Sequence, residues 1–140
     1  MNVMKMDVVK KKYSELQNIE KHIKDMNNEL TRFENKTVEI QNIKGALEDI
    51  KKTKIGTEVL FPLADGLFLK GKLENNNEIL VNVGAGTVVE KNIEETKELI
   101  HNQEKEIEEY KTKLIKNITL ADEKAYEIEQ EIMKLTENLQ

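Results

Sequence analysis

Apart from Gly45, helix breakers in this chain of 140 residues are confined to one window. The single proline, Pro62, and five of the six glycines, Gly56, Gly66, Gly71, Gly84 and Gly86, fall between positions 56 and 86. Proline lacks the amide that a helix needs and clashes with the preceding turn, and glycine weakens a helix by about 1 kcal/mol relative to alanine. The flanking stretches are therefore free to form long helices, and the window is not. The predicted fold is mainly α with a small β insert, a long antiparallel coiled-coil hairpin whose two helices are joined by two β-hairpins. It forms one domain: a coiled-coil helix over 1–53, the hairpins over 54–91 and a second coiled-coil helix over 92–140.

Apolar spacing carries the helical assignment. Leu16, Ile19, Ile23, Met26, Leu30 and Phe33, then Thr37 and Ile40, step by three and four, which is a heptad seam. The spacing predicts phase slips at Tyr13, Leu16, Ile19 and again at Ile40, Ile43, Leu47, Ile50, which would locally overwind the coil. The last segment repeats at seven through Ile93, Ile100, Ile107, Leu114, Ala121, Ile128 and Leu135. Its second stripe is read as polar at Thr96, Gln103 and Asn117 before it turns apolar at Ile118, Ala125, Ile132 and Leu139. Helices of similar length joined by a compact connector fold back on each other, so Met6 and Val9 are expected beside Leu135 and Leu139 at a shared tip.

The insert reads as four short strands. Segments 57–63 and 67–73 flank the turn Ala64, Asp65, Gly66, and segments 78–83 and 87–90 flank Gly84, Ala85, Gly86. Between the pairs, Glu74, Asn75, Asn76 and Asn77 form a polar turn. A small four-stranded sheet without a covering helix leaves apolar faces and edges open, and other subunits are the natural cover. Val59, Phe61, Leu67, Leu69, Val81 and Val83 are the candidate assembly residues.

Composition excludes most chemistry. With 38% hydrophobic and 4% aromatic residues, the chain is too poor in core formers for a roomy enzyme pocket. It has no cysteine, hence no disulfides, thiolate zinc sites or cysteine nucleophiles. The two histidines, His22 and His101, are far apart in the folded-back register, so no metal site and no catalytic residues are expected. A formal charge of −5 with Arg32 as the only arginine gives no general attraction to phosphate backbones, so nucleic acid is not an expected partner. No apolar run reaches about 18 residues and no secretory leader is recognisable, which predicts a cytoplasmic protein without a membrane partner. The run Gly66, Leu67, Phe68, Leu69, Lys70, Gly71, Lys72 nearly fits a phosphate-binding loop. Leu73 stands where that motif needs a hydroxyl, and the apolar run reads as strand rather than loop, so no cofactor is expected.

The methionines gather where function is easiest to see. Met1, Met4 and Met6 sit at one end of the sequence and Met133 near the other, among Val3, Val8, Val9, Ile128, Ile132, Leu135 and Leu139. Methionine adapts its shape to irregular apolar partners, so the shared tip is a candidate binding surface as well as the closure of the coil.

Residues Val59-Leu60-Phe61-Pro62-Leu63, Gly66-Leu67-Phe68-Leu69-Lys70-Gly71-Lys72-Leu73 and Ile79-Leu80-Val81-Asn82-Val83-Gly84-Ala85-Gly86-Thr87-Val88-Val89-Glu90-Lys91 resemble the centre of archaeal-type prefoldin alpha-class subunits. Two hairpins between long helices mark the alpha class of that family. The aromatic pair that commonly follows the glycine turn is replaced here by Thr87 and Val88. The resemblance implies a non-enzymatic, ATP-independent molecular chaperone. In it, two alpha and four beta-class subunits join through their hairpins into a hexamer. It would hold unfolded client proteins at the coiled-coil tips and deliver them to a group II chaperonin. The client-binding tip would be Val3, Met4, Met6, Val9, Ile128, Ile132, Met133, Leu135 and Leu139. A structural coiled-coil spacer, or a prefoldin-like paralogue that assembles alone, is the alternative.

Overall fold

The computed structural model describes residues 3–137. Its elements run α1 (Val3–Lys52), β1 (Glu58–Ala64), β2 (Leu67–Lys72), β3 (Glu78–Gly84), β4 (Thr87–Asn92) and α2 (Ile93–Glu137). Two long helices with two β-hairpins between them in sequence are what the confined helix breakers imply. The chain divides into two compact units, one of Met1–Lys36 with Ile107–Gln140 and one of Thr37–Glu106.

In the first unit the helical segments pair antiparallel. Leu16, Ala125, Ile128 and Ile132 form a buried cluster with Ile19 and Ile23 packed against it. Lys12 pairs with Glu131, and Phe33 stacks on Tyr110 with ring centroids 5.6 Å apart. Early residues of α1 thus meet late residues of α2. Along α1 in this unit the half-buried and buried positions are Lys5, Val9, Lys12, Leu16, Ile19, Ile23, Met26, Leu30 and Phe33, alternating steps of four and three. The slip expected near Leu16 is therefore corrected: Tyr13 is exposed and Lys12 holds the seam position.

The second unit repeats the lesson. Thr37, Ile40, Lys44 and Leu47 continue the alternation with Ile43 exposed, and half-buried Ile50 then follows Leu47 after a second step of three, so the slip expected here falls at Leu47 and Ile50 and passes through Lys44 rather than Ile43. The polar stripe of α2 is likewise displaced by one residue. Lys97 and Glu104 here, and Lys111 in the first unit, are half-buried, whereas Gln103 and Asn117 are exposed. Thr96 is buried, and it lines a cleft beside β3. The physical reason is the lysine side chain itself. Its aliphatic stem covers apolar surface while the ammonium reaches a carboxylate outside, so a charged residue can occupy a seam that hydropathy alone assigns to a neighbouring apolar one.

The start of α2 is locally encoded. Asn92 Oδ1 accepts the Glu95 amide at 2.8 Å and Glu95 Oε1 accepts the Asn92 amide at 3.3 Å, a reciprocal capping box. The polar turn predicted at 74–77 ties the hairpins to the helix ends. Asn75 Oδ1 accepts the amides of Asn77 and Glu78, Asn76 Nδ2 donates to the Thr53 carbonyl, and the Ile93 amide donates to the Asn77 carbonyl at 3.0 Å.

The four strands form two separate antiparallel pairs, β1 with β2 and β3 with β4, not the single four-stranded sheet expected. Phe61 faces Leu69 and Val81 faces Val89 across the ladders. The Phe61 ring lies over Gly71, where an added Cβ would come within 2.8 Å of it. Strand pairing ends at Gly84 with Thr87, leaving Ala85 and Gly86 as a two-residue turn with φ of 50° and 75°. Two positive φ values make this a type I′ turn, which favours Asn-Gly, and alanine pays for its Cβ there. Ala85→Asn is expected to stabilise the β3–β4 hairpin by about 1 kcal/mol, read as slower amide exchange at Val81 and Val89. Unchanged or faster exchange would contradict this account of the turn.

Candidate binding and assembly surfaces

Besides apolar side chains scattered along the helices, such as Val38, Tyr110, Leu120 and Tyr126, each unit has one place where exposed ones gather. In the second unit it lies on the hairpins. Phe61, Leu67, Leu69 and Val83 are exposed, and Val59 and Val81 are half-buried. Strand alternation puts Val59, Phe61 and Leu69 on one face of the first hairpin, and Leu60, Pro62 and Phe68 on the other. Both faces are thus apolar and open. Leu60, Leu63, Phe68, Leu80 and Val88, all more than half exposed, belong to the same surface and were not singled out from the sequence. The unbroken apolar runs 59–63, 67–69, 79–81 and 88–89 were their signal, because a strand covered on only one face alternates with polar residues.

The second hairpin differs from the first in having its own helix beside it. Leu80, Val81, Asn82 and Val83 line a cleft of about 400 Å³ together with Thr96, Leu99, Ile100 and Gln103 of α2. Thr96 is kept harmless there because its hydroxyl donates to the Asn92 carbonyl at 2.8 Å.

In the first unit the concentration is at the beginning of α1 and the end of α2. Val3 and Met4 are 71% and 74% exposed, Met6 and Met133 are also exposed, and Val9 and Leu135 are half-buried. Leu139 lies outside the described residues. Ile128 and Ile132 are in a different state, 2% and 5% exposed within the buried cluster. They hold the helix pair closed, so they reach a client only where the helix ends separate. The groove beside them, lined by Glu20, Ile23, Asp122, Ala125, Tyr126 and Glu129, is shallow and acid-rimmed.

Charge pairs fasten the helices within each unit. In the second, Glu104 accepts from Lys44 Nζ and Gln41 Nε2, each at 2.7 Å. Lys97 pairs with Glu48, and Lys51 donates to Glu94 at 2.9 Å. The lysine hydrogen bonds hold the carboxyls of Glu48, Glu94 and Glu104 below the ordinary glutamate value of 4.5, and Lys12 does the same to Glu131 in the first unit. A carboxyl with a lowered folded pKa adds stability that is present above its unfolded value and is lost as pH falls through the folded one. The thermal midpoint is expected to be level from about pH 7 to 5 and to decline below about 4.5, where glutamate titrates. Circular dichroism at 222 nm checks it, and a midpoint that rises on acidification would contradict it.

No catalytic geometry emerges from these residues. The near match to a phosphate-binding loop is strand β2, with Gly71 under the Phe61 ring rather than wrapping backbone amides around an anion. His22 and His101 are both exposed. Among the described residues no group of three histidines, aspartates or glutamates could hold a metal ion, and no helix is long and apolar enough to cross a membrane.

Known proteins share this arrangement. Among curated relatives, the alpha subunit of prefoldin from Methanobrevibacter smithii is 31% identical over 57% of this chain and 54% of its own. Prefoldin subunit alpha 1 of Thermococcus kodakarensis is 39% identical over 51% of this chain and 47% of its own. The chain spans about half the length of these two relatives. The Archaeoglobus fulgidus alpha subunit is matched over 90% of its length, at 27% identity. A cryo-EM structure of filamentous prefoldin from Methanocaldococcus jannaschii superposes with a TM-score of 0.72, covering 82% of this chain and 95% of that one, at 20% identity. At that identity the likeness speaks for the fold alone. The family model described as prefoldin subunit matches residues 19–138, well over half of the sequence and including both hairpins and most of both helices. On that match the chain belongs to the prefoldin family.

Proposed function

We propose that this chain is an alpha-class subunit of an ATP-independent cytoplasmic holdase. It joins beta-class prefoldin subunits through its hairpins, holds non-native proteins at the start of α1 and the end of α2, and passes them to a group II chaperonin. Family membership supports the coarser part, since prefoldin is a non-enzymatic chaperone family whose subunits form oligomers with other prefoldin subunits. The single observation that carries the finer part is where apolar surface is left open. Beyond side chains scattered along the helices, it gathers on two-stranded hairpins that are marginal alone, and on methionine and valine side chains at helix ends. Helix ends are the least protected part of a coil and expose apolar groups at little cost. Each contact is weak, because burying about 100 Å² of apolar surface yields roughly 2.5 kcal/mol before ordering costs. Several subunits acting on one client supply the affinity through multivalency.

The test is a variant with Met4, Met6, Val8 and Met133 all replaced by serine, assembled with a beta-class partner. All four side chains are exposed, so folding and assembly should be kept. Suppression of thermal aggregation of an unrelated protein is expected to fall severalfold. Full activity in an intact complex would move the client surface to the hairpins. The mass of the complex with and without the beta-class chain separates a mixed assembly from one formed by this chain alone.

A further inference from the structure

The beginning of α1 is basic in an acidic protein. Over residues 3–13 four lysines, Lys5, Lys10, Lys11 and Lys12, stand against one acid, Asp7, although the chain as a whole carries −5. The first turn of α1 contains no acidic residue. Helices favour carboxylates there, because the unpaired amides leave partial positive charge, and α2 obeys the rule with Glu94 and Glu95. That rule does not explain Lys5, and Lys10 and Lys11, beyond the first turn, gain only a few tenths of a kcal/mol from standing three and four residues after Asp7. Pairing within the fold does not explain them either. Lys12 is engaged by Glu131, whereas Glu127, Glu129 and Glu137 near the end of α2, like every other described carboxylate, lie more than 4 Å from Lys5, Lys10 and Lys11, which leaves these three lysines of α1 without an ion pair among the described residues. Between these ammonium groups stand Val3, Met4, Met6 and Val8, all exposed. At about 100° per residue, these apolar side chains are spread around the helix and interleaved with the lysines.

We propose that this lysine and methionine surface gives the client site a charge preference, favouring unfolded segments in which apolar residues are interspersed with aspartate and glutamate. The inference rests on the holdase reading above and names the client chemistry of the same site. The surface is exposed Lys10 and Lys11 with the exposed apolar side chains over three turns, and half-buried Lys5 at its edge, not the free amides at the helix end. Interleaving is what points to an irregular peptide. A helix that lies on an anionic membrane gathers its apolar residues on one face, and this one does not. Charge complementarity at such a rim acts mainly on selection and on encounter rate.

The experiment uses the assembled complex and two fluorescein-labelled peptides of identical apolar sequence, one bearing four glutamates and the other four lysines. Fluorescence anisotropy at about 50 mM NaCl is expected to show the glutamate peptide bound about tenfold more tightly. The gap should shrink below about twofold at 500 mM, where the screening length is only a few ångströms. Lys10→Glu with Lys11→Glu should reverse the order, and Lys10→Arg with Lys11→Arg should keep it. Equal binding of the two peptides, or an unchanged order after charge reversal, overturns the proposal. If suppression of client aggregation persists in that case, the holdase reading stands and only the preference falls. If neither peptide nor an unfolded client binds, both fall. Sedimentation with phosphatidylglycerol vesicles as strong as the glutamate-peptide binding would reassign the surface to a membrane.

Discussion

Replacing Leu69 or Val81 by aspartate is expected to break a prefoldin assembly into free subunits. Leu69 lies opposite Phe61 on an open apolar face, and Val81 sits at the cleft beside α2. Neither is deeply buried within the chain, so the isolated subunit should tolerate the change. In the assembly the same side chains would be covered, and an unpaired carboxylate there costs several kcal/mol. About 4 kcal/mol corresponds to a roughly thousandfold weaker association. Analytical ultracentrifugation should therefore show a shift to subunit mass at micromolar concentration with helicity unchanged. A full-sized complex containing either variant would remove the hairpins from the interface.

Ile128→Ala is the substitution in the helix pair expected to cost most. Ile128 is 2% exposed and packs in the cluster with Leu16, Ala125 and Ile132. Deleting three buried carbons leaves a cavity, and such changes cost about 2–5 kcal/mol. The better helix propensity of alanine returns a few tenths. A net loss of about 3 kcal/mol is expected, lowering the thermal midpoint by roughly 10 °C. Ile115→Ala is the control, because Ile115 is half exposed and its loss should stay within about 0.5 kcal/mol. Equal effects of the two variants would mean that the seam does not run through Ile128. The pair also separates packing from client contact. Ile128→Ala should alter client holding only as far as it loosens the helix ends, whereas the serine variant at Met4, Met6, Val8 and Met133 should alter holding without moving the midpoint.

Local chemistry is what the sequence by itself determined. Helix breakers clustered over 56–86, with Gly45 the lone exception, placed both hairpins, Asp65-Gly66 and Ala85-Gly86 placed their turns, and Asn92 with Glu95 wrote the start of α2. These features depend on neighbours a few residues away, so no folded partner is needed to read them. The heptad repeat of α2 belongs to the same class. Tertiary structure decided whatever depends on a second surface. Lys12, Lys44, Lys97 and Glu104 hold seam positions because a carboxylate or an ammonium waits on the facing helix. Hydropathy cannot register such a partner, which is why apolar spacing alone assigns Tyr13 and Ile43 inward. The strands pair as two separate ladders rather than one sheet, because strand pattern specifies alternation within a ladder and not which ladders meet. Ile128 and Ile132 read from sequence like the methionines around them. Only the helix packed against them divides the group, closing over the isoleucines and leaving Met4 and Met133 in the open.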